Sequence, residues 1–157
     1  MARYAVVAVG RLKDGFFEDA AAEYVKRLSA FGGVEMTEIP EASAGRGGEG
    51  EIERAKAREG AGILAALPRG AVVALDSRGD NLTSEAFAAK IADLCAKTAH
   101  VTFIIGGPHG LSEAVRARAD LTVAFGKATF PHRLVRVMLL EQVYRAGTIT
   151  EGRAYHK

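Results

Sequence analysis

Four short runs of mostly apolar residues, "YAVVAV" (4–9), "AVVALD" (71–76), "HVTFII" (100–105) and "DLTVAF" (120–125), are separated by stretches whose apolar residues return every three or four positions. Strands that alternate with helices pair in parallel, because each helix carries the chain back across the sheet before the next strand begins. That order constrains the chain to an α/β sandwich and places any ligand at the carboxyl ends of the strands. The intervening segments support this reading. "DGFFEDAAAEYVKRLSAFGG" puts Phe17, Ala21, Tyr24 and Leu28 on one helical face, with Asp14 as the expected N-cap and Gly32-Gly33 as the stop.

The remaining elements follow from the same periods. "VEMTEIP" alternates through Val34, Met36 and then Ile39 and reads as a strand, and "PEASAGRGGEG" (40–50) reads as a mobile surface loop. A helix follows through Ile52, Ala55, Ile63 and Leu67. Another has Phe87, Ile91 and Leu94 on one face and Thr83 or Ser84 as its cap. "LSEAVRARA" is a short helix whose Arg116 and Arg118 are expected to be solvated, and "PHRLVRVMLLEQVYRAG" is a long final one with Pro131 near its first turn. There is no internal repeat and no linker, so 157 residues form one expected domain, 1–157.

Composition excludes several classes of function. No apolar stretch approaches the roughly 20 residues that a membrane helix needs, and the N-terminus has no cleavable small-residue site, so a cytoplasmic protein is expected. The single cysteine, Cys95, allows no disulfide framework within the chain and is expected to be a small buried hydrophobe. His100, His109, His132 and His156 show no metal-ligand spacing, and no metal is expected. The first strand-to-helix turn has no G-x-G-x-x-G, and the Gly126-Lys127 pair lacks the rest of a P-loop. Net charge is only +2, but Lys127–Lys157 holds six Lys or Arg against Glu141 and Glu151, which leaves this end at +4 and the rest at −2. Cations gathered at one end suit a phosphate-bearing partner.

The distinctive chemistry lies at three late strand ends, "ALDSRG" (74–79), "IIGGPHG" (104–110) and "FGKATFPH" (125–132). Each runs into a loop containing glycine or proline, and glycine lets backbone amides and carbonyls approach a ligand with no Cβ in the way. One such loop is an ordinary turn. Three side by side can cradle a planar, hydrogen-bonding ligand such as an adenine, and a side chain at Gly106 is expected to fill the space of that ligand.

"LDSRG", "FIIGGPHGLSEAV", "TFPHRLVRVMLLEQVYRA" and the terminal "AYHK" together resemble the RlmH (YbeA) family of ribosomal RNA large-subunit methyltransferases, within the SPOUT superfamily. The resemblance runs from "VAVGRLK" to "YHK". It implies a SPOUT-type parallel-sheet sandwich with a C-terminal trefoil knot and a homodimer. It also implies methyl transfer from S-adenosyl-L-methionine to N3 of a pseudouridine in helix 69 of 23S rRNA, within the assembled ribosome. The cofactor-binding residues it implies are Leu75, Gly106 and the run Phe125, Gly126, Lys127, Ala128, Thr129 and Phe130. Relatives often carry Ser and a larger apolar residue at 126 and 128, so contacts there rest on the backbone.

On the acceptor side the candidates are Arg145, Tyr155 and His156 ahead of Arg136 and His132, since a guanidinium favours an imide anion and a histidine or tyrosine relays a proton. His132 at the helix start serves equally well to orient its loop. The tail Tyr155-His156-Lys157 is expected to reach over a cofactor, that of its own chain or of a partner. The final helix carries apolar residues round most of its circumference and so calls for burial on two sides, as a dimer provides. Two other readings remain open from sequence: a non-catalytic RNA-binding module anchored by the basic end, and an α/β enzyme acting on a free nucleotide.

Overall fold

The computed structural model describes residues 3–157. Five strands, β1 (Tyr4–Val9), β2 (Val34–Ile39), β3 (Ala71–Asn81), β4 (Val101–Ile105) and β5 (Leu121–Ala124), form one sheet in the order β2-β1-β4-β3-β5. Every pairing is parallel. The helices are α1 (Gly15–Leu28), α2 (Glu49–Ala66), α3 (Ser84–Lys97), α4 (Glu113–Arg118) and α5 (His132–Thr150), with a short 3-10 turn at Ser29–Phe31.

Strand side chains alternate between the two faces, and both faces are covered, which is why the strands are apolar throughout rather than at every second residue. Val6, Ala8, Val73 and Phe103 pack with Leu28, Phe87, Ile91, Leu139 and Val143 from α1, α3 and α5. Their neighbours Val7, Val9, Val72 and Ile104 pack with Ile63 of α2 and Val115 of α4 on the opposite face. The final helix lies against both α1 and α3, and no residue from His132 to Ile149 is fully exposed.

Local details depart from the sequence-based expectations in four places. Asp14 occupies the N-cap position of α1 but makes no capping bond. Its carboxylate instead takes Arg133 Nη1 of α5 at 3.3 Å. The 40–48 segment is fastened to α2, where Glu59 Oε2 accepts the Ala42 amide at 2.9 Å and Arg58 donates to the Ser43 carbonyl. Cys95 is half-buried and accepts a hydrogen bond from Arg3 Nε at 3.3 Å, so it is not an inert core residue. Arg116 is not solvated. Its side chain is 16% exposed and is tied to Asp76, Glu113 and the Leu111 carbonyl. Thr83 caps α3, accepting the Ala86 amide.

Candidate active site

The register of the sheet brings three of the sequence-selected positions together. Leu75 of β3 pairs with Ile105 of β4 and with Val123 of β5, so the chain leaves three neighbouring parallel strands at one level. β3 then bulges: both Leu75 and Asp80 face Val123, and residues 76–79 loop out between them. Gly79 makes this possible, because a Cβ there would stand 2.6 Å from the Val123 amide nitrogen. Asn81 closes the arrangement by accepting the Gly126 amide at 3.0 Å, which joins the end of β3 to the loop after β5.

The three loops enclose a cavity of about 310 Å³, within the range of small-molecule sites. Leu75, Gly106, Phe125, Gly126, Ala128, Thr129 and Phe130 line it, and Lys127 does not. His132 and Val135 of α5 complete one wall, with Ser77, Pro108 and His109 at other loops. The bed is apolar, from Leu75, Ile105, Val123 and Val135, with backbone amides and carbonyls of glycine-rich turns around it. That combination suits an adenosyl group, whose base has two flat apolar faces and a polar edge. Gly106 lines the cavity and has a further reason to lack a side chain. A Cβ there would meet Leu111 Cδ2 at 2.9 Å and the Gly110 backbone at 3.0 Å, so the folding of the 106–111 turn on itself also disfavours a side chain.

His132 stands at the cavity with its Nε2 3.7 Å from where a Gly10 Cβ would be. Burial pushes its pKa down; Glu41 opposes that, and Arg133 and Arg136 add to it. The imidazole is therefore neutral at neutral pH and available to accept a proton. Arg136 is elsewhere. Its side chain is 3% exposed and spans from α5 to the ends of β1 and β2, bonding Glu38 at 2.6 Å and the Gly10 carbonyl at 3.0 Å. It is a structural cation rather than an acceptor-side group.

Arg145, Tyr155 and His156 come together, but away from this cavity. Arg145 binds Glu141 Oε1 through Nη2 at 2.6 Å, lies over the Tyr155 ring at 4.8 Å, and donates to His156 Nδ1 at 3.1 Å. Tyr155 donates to the same Glu141 oxygen at 3.2 Å, and His156 Nε2 meets Glu85 of α3 at 2.7 Å. Burial and the neighbouring Glu141 carboxylate raise the Tyr155 pKa to about 12, so the phenol keeps its proton. Arg145 follows the cavity residue Val135 by ten positions, roughly 15 Å of helix, and none of the three lines the cavity of its own chain. Sequence reading missed Glu141, although its i, i+4 spacing to Arg145 was available. It also missed Glu85 and Asp76, whose partners are distant in the chain.

Among the described residues no group of three or more His, Cys, Asp or Glu is placed to hold a metal ion, and no helix is long and apolar enough to cross a membrane. Residues 2–156 match the family described as "Predicted SPOUT methyltransferase". The chain is similar to proteins named Ribosomal RNA large subunit methyltransferase H. The one from Xanthobacter autotrophicus is 48% identical, covering 99% of each chain. That from Levilactobacillus brevis is 46% identical, covering 96% of this chain and 97% of the relative. The fold is similar to a probable methyltransferase from Bordetella pertussis Tohama I, with a TM-score of 0.56 at 12% identity over 92% of this chain and 94% of that one. It is also similar to a tRNA (m1G37) methyltransferase from Aquifex aeolicus, with a TM-score of 0.52 at 16% identity over 90% of this chain and 69% of that one. The family match over almost the whole length, with full-length relatives near half identity, shows that the chain belongs to the SPOUT methyltransferases, in the ribosomal RNA large subunit methyltransferase H family.

Proposed function

We propose that this chain is the methyltransferase that modifies N3 of a pseudouridine in helix 69 of 23S rRNA, acting in the cytoplasm on the assembled ribosome. The observation that carries the reading is the single cavity formed where Leu75, Gly106 and Phe125 leave three adjacent parallel strands. Relatives of near-half identity that are named for ribosomal RNA methylation support the substrate class. S-adenosylmethionine, when bound, supplies a methyl group already activated by its sulfonium.

The chain's own tasks are then to align donor and acceptor and to manage the imide proton. The loops 75–79, 106–110 and 125–130 hold the adenosyl group through backbone edges and apolar contact. His132, neutral beside the cavity, accepts the proton leaving N3. Arg145 favours the imide anion by its charge, while Tyr155 and His156 exchange their partners Glu141 and Glu85 within the subunit for the acceptor, the phenol as a hydrogen-bond donor and the imidazole as the relay that passes the proton outward. Because this group sits apart from the cavity of its own chain, it serves the cavity of a second copy. The working unit is accordingly a homodimer of single-domain subunits, each with a C-terminal trefoil knot. A sedimentation mass near twice 16.6 kDa tests the dimer.

Calorimetric titration with S-adenosylmethionine tests the cofactor reading. Saturable binding is expected. An RNA-binding protein with no affinity for the cofactor would instead be a non-catalytic module anchored by its basic end, with binding that weakens steeply in salt.

A further inference from the structure

Among the described residues lining the cavity, Asp76 is the one Asp or Glu, and no Lys or Arg is present. Its side chain is only 6% exposed. A carboxylate so far removed from water has to be held by partners, and those partners fix its place. The Arg78 amide donates to Oδ1 at 2.9 Å within the bulge of β3, and Arg116 Nη1 stands 3.4 Å from Oδ2. Arg116 in turn donates to the Leu111 carbonyl, so one guanidinium joins the 76–79 bulge to the end of the 106–111 turn.

The cations that compensate that charge are shared or exposed. Arg116 is shared with Glu113, its closer carboxylate partner. The Arg78 guanidinium lies 3.5 Å from Oδ1 but is 64% exposed, where water screens it. Glu113 is itself 82% exposed and screened, so what the cavity has on the side of β3 is one buried carboxylate held by Arg116 and the Arg78 amide.

The cofactor passes through two charge states in one turnover. As donor it carries a sulfonium; once the methyl group has left, the sulfur is a neutral thioether. We propose that Asp76 is a specificity determinant for the cofactor's charge, favouring the cationic donor over the neutral product, with Arg116 as the positioning residue that holds it. This rests on the reading of the cavity as the S-adenosylmethionine site. Its use is release: a product that has lost its positive charge is held less tightly than the donor that replaces it.

The test is titration of S-adenosylmethionine and S-adenosylhomocysteine into the wild-type protein, Asp76→Asn and Arg116→Gln. Asparagine keeps the oxygen that accepts the Arg78 amide, removes the charge, and puts an amide donor where Oδ2 accepts from Arg116, so the product affinity serves as the control for that local change. Asp76→Asn should weaken the donor about tenfold, the scale of one partly screened charge contact, while product affinity stays within about twofold. Arg116→Gln removes the compensating cation and should shift the ratio of affinities toward the donor, opposite in sign. Affinities that fall in parallel in Asp76→Asn, or a ratio that stays fixed in both variants, overturn the proposal and assign Asp76 a purely structural part. A wild-type protein that binds neither ligand overturns the cofactor reading itself, and this proposal with it.

Discussion

Arg145 donates to His156 Nδ1 at 3.1 Å, and this contact settles which nitrogen of the imidazole bears hydrogen. A guanidinium has only donors, so Nδ1 accepts, and Nε2 carries the hydrogen that faces Glu85 Oε1 at 2.7 Å. The chain's end is therefore folded onto α5 and α3 rather than frayed. Yet Arg145, Tyr155 and His156 all remain half-buried, within reach of another molecule.

Removal of Tyr155, His156 and Lys157 should lower methyl transfer to ribosomes by about 100-fold, the scale of losing one positioned catalytic group. Affinity for S-adenosylmethionine should stay within twofold or so, because the tail does not line the cavity of its own chain and its groups act on the acceptor of the second copy. Stability should fall by about 1–2 kcal/mol, since the one ion pair lost, His156 with an exposed Glu85, contributes little, while the Tyr155 ring leaves its contacts with Tyr144 and Arg145. A truncated protein with a near-normal transfer rate would return the tail to a structural role.

The acid side of stability should depend on His132. Its pKa is lowered on folding, chiefly by burial, so below the unfolded value of about 6.5 the unfolded chain binds protons more tightly than the native one. The residue therefore costs the native state nothing at pH 7.5 and progressively more as pH falls through that window. His132→Gln should lose less stability than the wild type between pH 7.5 and 5.5 in urea unfolding. Equal losses would mean that the imidazole titrates alike in both states.

Arg136 and Glu38 should respond unequally to loss of their partner. Glu38→Ala leaves a guanidinium that is 3% exposed with only the Gly10 carbonyl, and should cost about 3 kcal/mol. Arg136→Met leaves a carboxylate that is 41% exposed and can turn to water, and should cost about 1–2 kcal/mol. Urea midpoints decide the order, and the reverse order contradicts the assignment of Arg136 as a buried structural cation.

Much of this was legible in the sequence because it is local. Apolar runs, caps and glycine punctuation gave the strand and helix order, and the three glycine-containing and proline-containing strand ends do meet at one cavity. What was hidden depends on pairs far apart in the chain. Asp76 and Arg116 meet only once β3 and α4 are placed side by side, so Arg116 looked like an ordinary solvated helix charge. Asp14 suited a cap by its position, but the folded chain offers it Arg133, a charged partner. Gly106 is restricted by Leu111 and Gly110 as well, a packing constraint that no rule about ligand contact would indicate.

Two glycine substitutions separate close packing from backbone strain. Gly79→Ala would set its Cβ against the Val123 backbone, which cannot yield, and should cost 2 kcal/mol or roughly more while loosening the cavity wall. Gly126→Ala meets no neighbour and pays only for its φ of +98°, about 1 kcal/mol. Comparable losses in thermal unfolding would contradict the close approach of the β3 bulge to β5.

The most direct measurement is transfer of tritium from S-[methyl-³H]adenosylmethionine to ribosomes that lack the modification, with the labelled nucleotide then located in the rRNA. Label is expected on the helix 69 pseudouridine at N3, in assembled ribosomes and not in free nucleotide. Label on another nucleotide, or none above that seen without the protein, contradicts the proposed function.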